Sequence, residues 1–213
     1  MAIGTQIYKN SVAGNISSDC AVYSYIGGIC GSLQGGLVYN CHSSGDIFAG
    51  KQIGYIGGSV GCSVASNIQS SYSAASIFSA AAGDVCVGGI CGYAEESFVM
   101  QNVALNPAIN AKAQVGAVYG GYSMSEVEDN YSIDKMLINN QHISAGEGNC
   151  KIKSEKSLCD VNFYFKPLTQ GGLLGWGNSL SGEDIWTWAE GKYPFPVLTN
   201  VKRQDALKKP VYK

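Results

Sequence analysis

Apolar residues in this chain come in runs of four to six, bounded by Gly, Ser and Asn. Runs this short predict β-strands joined by tight turns rather than amphipathic helices. The runs also recur. Ile26-Gly-Gly-Ile-Cys-Gly31, Ile56-Gly-Gly-Ser-Val-Gly61, Val87-Gly-Gly-Ile-Cys-Gly92 and Val115-Gly-Ala-Val-Tyr-Gly120 align, with starts separated by 30, 31 and 28 residues. A weaker segment follows each of them: Asn40-Cys-His-Ser-Ser-Gly-Asp-Ile47, Ser70-Ser-Tyr-Ser-Ala-Ala-Ser-Ile77, Asn102-Val-Ala-Leu-Asn-Pro-Ala-Ile109 and Asn130-Tyr-Ser-Ile133. A partial copy, Asn10 to Ile16, precedes them all.

A unit of two or three short strands cannot bury its own apolar face, so successive units must stack, with equivalent side chains forming ladders about 4.8 Å apart. The expected fold is all-β: a right-handed parallel β-helix-like solenoid of about four units over residues 1–135. The runner-up is a β-sandwich or propeller-like array, built from similar strands. Ile26, Ile56, Val87 and Val115 should form one inward ladder, and Cys30, Val60, Cys91 and Tyr119 another. The repeat glycines are Gly27, Gly28, Gly31, Gly57, Gly58, Gly61, Gly88, Gly89, Gly92, Gly116 and Gly120. They suit positive φ or close backbone approach at the corners.

The Gly-Gly-x-x-Gly block followed by an Asn-aromatic-Ser segment resembles the GLUG repeat of bacterial surface proteins, which also occurs beside immunoglobulin-A-specific metallopeptidases. The likeness continues through Ser144-Ala-Gly-Glu-Gly148, Lys153-Ser-Glu-Lys-Ser-Leu158, Phe163, Gly175-Trp176, Ile185-Trp186 and Tyr193-Pro-Phe-Pro-Val-Leu198. That order is similar to the module that closes many GLUG-containing chains. The resemblance implies a repeat protein of the bacterial cell surface and supplies no reaction.

From about Met136 the period is lost and all three Trp residues appear, so residues 136–200 are read as an aromatic cap over the open end and 201–213 as a basic tail. Ser181 is a candidate N-cap for a helical turn through Asp184 and Trp186, which would point Trp186 and Trp188 apart. No window holds the roughly 18 apolar residues that cross a bilayer. Met1 to Asn10 lack the basic start and apolar middle of a signal peptide, and the chain is expected to be covalently part of a longer exported precursor.

Composition narrows the function. Hydrophobic residues make up 46% and charged ones 14%, and the formal net charge of -2 leaves no electrostatic footprint for nucleic acid. There is no Cys-x-x-Cys, and Cys86–Cys91 and Cys150–Cys159 lack nearby His, so no metal or cofactor is expected. Cys30 and Cys91 occupy one small core slot, filled by Val60 between them, and should be reduced and buried. Cys41 aligns with Ser71, Val103 and Tyr131, and Cys86 with Tyr25 and Tyr55. A Cys150–Cys159 bridge is sterically open.

Gly57-Gly-Ser-Val-Gly61 formally matches a nucleophile elbow, but Ile29, Ile90 and Val118 occupy the equivalent of Ser59 in the other units. His42, aligned with Tyr72 and Ala104, reads as a solvent-facing filler. Glu95, Glu96, Glu126, Glu128 and Asp129 crowd the turns of the last two units, and stacking should bring them to one side. Paired carboxylates there could cleave a glycosidic bond or hold calcium; a solvated turn is the plainer reading. Tyr23, Tyr39, Tyr72, Tyr93 and Tyr122 are candidate surface contacts. The functional expectation is therefore a non-catalytic scaffold or adhesin, extracellular or at the cell surface, not inserted in a membrane, whose partner is a host glycan or protein. A carbohydrate-binding or carbohydrate-active β-helix and a calcium-binding module are the alternatives.

Overall fold

Each glycine block forces a sharp bend, because the backbones on either side approach too closely for a side chain. The computed structural model describes residues 1–19, 24–51, 53–144, 150–166, 172–176, 185–188, 193–199, 201 and 210–212. A Cβ on Gly57 would lie 1.9 Å from the Val60 carbonyl oxygen, and one on Gly58 would lie 2.1 Å from that of Gly89. None of the repeat glycines has positive φ, so close approach alone accounts for them.

The chain opens with β1 (Ala2–Ile3), β2 (Gln6–Tyr8), β3 (Ser11–Ala13), β4 (Ile16–Ser18) and β5 (Ser24–Gly27). The next turn comprises β6 (Cys30–Gln34), β7 (Leu37–Tyr39), β8 (His42–Ala49) and β9 (Ile53–Gly57), and the one after it β10 (Val60–Val64), β11 (Asn67–Gln69) and β12 (Tyr72–Gly88). Then come β13 (Cys91–Glu95), β14 (Phe98–Met100), β15 (Val103–Ala104) and β16 (Ala108–Gly116). The last turn holds β17 (Tyr119–Ser123), β18 (Glu126–Glu128), β19 (Tyr131–Ile133), β20 (Leu137–Ile138) and β21 (Gln141–His142), and β22 (Lys151–Lys153) follows.

Equivalent strands stack in three sheets, β1-β6-β10-β13-β17, β2-β7-β11-β14-β18 and a larger third sheet centred on β12. Within them every pairing is parallel except β20 with β21. The fold is an all-β parallel β-solenoid of about four turns with a thirty-residue repeat and a small C-terminal region. Ile26, Ile56, Val87 and Val115 are paired in register, as are Cys30, Val60, Cys91 and Tyr119. Cys30 is half-buried rather than buried, since its row has no strand pairing on the N-terminal side.

Two corner columns complete each turn. Gly4, Gly35, Ala65, Glu96 and Met124 occupy the first and Lys9, Asn40, Ser70, Gln101 and Asp129 the second, all with positive φ. Beside each corner a side chain of one turn accepts a backbone N–H of the preceding turn. Ser66 N–H donates to Ser97 Oγ (3.1 Å) and Ser97 N–H to Ser125 Oγ (3.0 Å). At the second corner Cys41 N–H donates to Ser71 Oγ, Ser71 N–H to Asn102 Oδ1 and Asn102 N–H to Asn130 Oδ1, all at 3.0–3.1 Å. Cys41 therefore belongs with Ser71, Asn102 and Asn130. Val103 and Tyr131 fall in the row of His42 and Tyr72, one place along from the alignment drawn by sequence. Ala104 accordingly pairs with Ser73 rather than with Tyr72. Cys86, Tyr55 and Tyr25 do share a row.

Parallel pairing runs past Met136, since Tyr131 pairs with Lys151 and Ile133 with Lys153. Two helical turns follow: α1 (Glu155–Leu158), capped by Ser154, and α2 (Val161–Phe165), capped by Asp160. An antiparallel pair, β23 (Trp186–Trp188) with β24 (Pro196–Leu198), completes the described structure. Ser181 and Asp184 lie outside the described residues, but Trp186 is in a strand rather than a helix. Consequently Trp186 and Trp188 share one side, with Thr187 exposed between them. Among the described residues no helix is long and apolar enough to cross a membrane.

Candidate functional site

The acidic residues stand at different positions along the turn, and the register keeps them from forming pairs across turns. Glu95, at the end of β13, lies opposite Ser123 and Val64. Glu96 is at a corner with φ 48°, in the column of Met124 and Ala65. Glu126 and Glu128 alternate outward on β18, opposite Phe98 and Met100. Asp129 occupies the second corner and accepts from Lys151 Nζ at 2.7 Å. Among the described residues no group of three or more His, Cys, Asp or Glu is placed to hold a metal ion.

The tyrosines divide by environment. Tyr25 stacks on Tyr55 and Tyr55 on Tyr93, with centroids 5.5 and 4.8 Å apart, so the middle ring has neither face open. Tyr93 also closes over Gly121, where a Cβ would lie 3.1 Å from its ring. Tyr39 stacks on Tyr8 at 4.3 Å. Tyr122 is 54% exposed and meets Tyr119 edge-on. Tyr72 is buried, which removes it from the surface set, and Tyr23 lies outside the described residues.

The described aromatic residues of the C-terminal region lie along the flank of the solenoid. Trp186 Nε1 donates to Asn40 Oδ1 (3.0 Å), and Trp176 Nε1 to the Gln101 carbonyl (3.1 Å). Tyr72 Oη donates to the Pro196 carbonyl (3.0 Å) and Tyr212 Oη to that of Leu105 (2.9 Å). Phe163 meets Tyr131 edge-on. These anchors extend from the turn of Asn40 to that of Tyr131, so the region straps four turns together. Beneath it His42 is fully buried, contrary to a solvent-facing filler, and stacks on Tyr72 with centroids 4.8 Å apart and planes 4° from parallel. Trp186 lies 5.9 Å from the same imidazole. Burial, then the neighbouring Tyr193, holds the Tyr72 hydroxyl well above its ordinary pKa, and burial pushes that of Tyr193 up to about 12. Both phenols stay neutral, and Tyr72 anchors the region through its bond to the Pro196 carbonyl.

The seven described cysteines are thiols, and Cys150 and Cys159 are not joined. Cys150, placed by β22 within the stack rather than in a separate cap, donates from Sγ to Ser132 Oγ at 3.0 Å. Burial pushes the Cys41 and Cys62 thiols up to about 11 and that of Cys91 higher still.

On the third sheet, away from the strap, two open cavities of about 710 and 520 Å³ share Phe78, Ser79 and Asn110. Ser17, Phe48, Phe78 and Asn110 form one row across four successive strands there. Nothing in the spacing of the glycine blocks pointed to this trough; the signal was the recurrence of Phe at Phe48 and Phe78, thirty residues apart.

With this geometry in view, comparison with known proteins adds one finding. Residues 22–47 match the family model of the GLUG motif. The protein is a β-solenoid that carries a GLUG motif. The GLUG segment contains one glycine bend, both corners and the strand leading to Ile47, and the later units stack on it in register. No curated protein matches the chain.

Proposed function

We propose that this GLUG-motif solenoid is a non-catalytic scaffold or adhesion module of a larger bacterial surface protein, presented outside the cell. The observation that carries the reading is the parallel stacking of equivalent strands from β1 to β22, locked along one flank by the aromatic strap. Such a stack is a stiff rod with long lateral faces, suited to holding or touching partners over an extended area. The acidic side chains favour the same reading, because Glu95 and Glu126 face Ser123 and Phe98 rather than another carboxylate. The partner proposed is a host or matrix glycan or protein.

The test is to present the chain with immobilised polysaccharides, peptides and matrix proteins while monitoring reaction products. Binding without turnover is the expected result. Glycan turnover that disappears in Glu95→Gln, Glu96→Gln or Glu126→Gln would replace the scaffold with an enzyme. Antibody labelling of intact producing cells checks the location, and a strictly internal signal would contradict it.

A further inference from the structure

The row Ser17–Phe48–Phe78–Asn110 differs from the tyrosine stack of Tyr25, Tyr55 and Tyr93 in one respect that matters for binding. Phe48 and Phe78 stack on each other with centroids 5.3 Å apart and planes 14° from parallel. Each ring therefore has one face covered by the other. The outer face of Phe48 looks toward Ser17, and that of Phe78 toward Asn110. Ser17 is too small to cover a ring, and Phe48 is 45% exposed.

The cavities follow from this. One includes Ser17 and Phe48, the other Phe78, Asn110 and Asn139, and their shared residues join them into a trough running across the strands. Around the rings the trough offers serine hydroxyls and asparagine amides, with one carboxylate, Asp19, and two ammonium groups, Lys51 and Lys112. The register shifts in β12 on either side of Ala82 occur next to it, where the chain departs from the regular ladder.

We propose that this trough binds a linear, neutral oligosaccharide, one pyranose ring of which packs on the outer face of Phe48. A pyranose ring has a face of C–H groups that packs on an aromatic face and a rim of hydroxyls that both donate and accept, and the trough supplies both partners. Neutral sugars are favoured because the charges present are few and of both signs. A peptide strand is disfavoured because the trough crosses the strands over the middle of a sheet, where backbone groups are already paired. The assignment gives the non-catalytic binding reading a site and a ligand class.

The experiment is calorimetric titration of the full chain with cellohexaose, mannohexaose, xylohexaose and an oligogalacturonate. At least one neutral hexasaccharide should bind. Ser17→Phe would add a third ring to the row and fill the space over Phe48 without removing any contact, so it should weaken binding at least tenfold while leaving the circular dichroism spectrum and melting temperature intact. Phe48→Ala should weaken binding similarly, whereas Tyr122→Ala should not. The proposal is overturned if no neutral oligosaccharide binds, if Ser17→Phe and Asn110→Phe both bind like the unaltered chain, or if the oligogalacturonate binds more tightly than every neutral sugar. Assaying reducing ends in the same samples separates this proposal from the scaffold reading: a sugar bound and cleaved removes only the non-catalytic reading, and no binding with no cleavage removes only the trough.

Discussion

Asparagine appears in adjoining columns of this repeat for two different physical reasons. Asn40 sits at a corner with φ 52°, a conformation Asn tolerates better than most side chains. Asn102 and Asn130, one column further on, are buried and spend their amides on the ladder. Asn102 Nδ2 donates to the Ile68 carbonyl at 2.9 Å, and its Oδ1 accepts from Ser71 N–H. The sequence alignment merged the two columns because the residue type is the same. Asn102→Ala strands a buried backbone donor as well as losing its own bonds, so a loss of about 2–4 kcal/mol is expected from urea unfolding. Burial of the thiols gives a pH dependence of definite sign. The Cys41 pKa is raised from 9.0 to about 11, so its contribution to stability is complete below pH 9 and is lost as pH rises from 9 to 11. Unfolding midpoints should fall over that window and fall less in Cys41→Ala; a midpoint that holds constant to pH 11 would contradict the burial.

Elements were legible where the repeat itself specifies them. Glycine blocks mark the bends and apolar rows mark the inward ladders, and the structure keeps Ile26, Ile56, Val87 and Val115 in one register. The flank was not legible, because what covers it comes from outside the period. His42 reads as a surface residue in the sequence because nothing within its own unit buries it. The Trp186 indole that covers it is 146 residues away. The trough is hidden in the sequence for a related reason: an exposed aromatic row looks like a core row until the strand faces are known. The strap can be weighed with a single change. Trp186→Phe keeps an aromatic ring near His42 and Tyr72 but removes the donor to Asn40, and it should cost about 0.5–1.5 kcal/mol. Hydrogen exchange should then quicken in β23 and β24 more than in β10 and β13, and equal acceleration everywhere would argue against a separable strap.

At the scale of the molecule, a solenoid has two ends whose strands could recruit further strands. The aromatic region leaves the outer edges of β17 and β18 uncovered by any strand among the described residues, and β18 carries exposed Glu126 and Glu128 there. The acidic cluster thus has a structural use as a charged edge that disfavours stacking. The central claim remains the register itself, since the flat faces, the strap and the trough all depend on it. Gln6, Leu37, Asn67, Phe98 and Glu126 form one row across five strands. Spin labels carried on genetically encoded residues at Gln6 and Glu126, measured by pulsed electron paramagnetic resonance, test that row across its whole length. Four strand spacings place the two backbones about 19 Å apart, and a single narrow distance distribution consistent with that separation is the predicted result. A broad distribution, or a distance beyond about twice the expected value, would contradict the stacked solenoid.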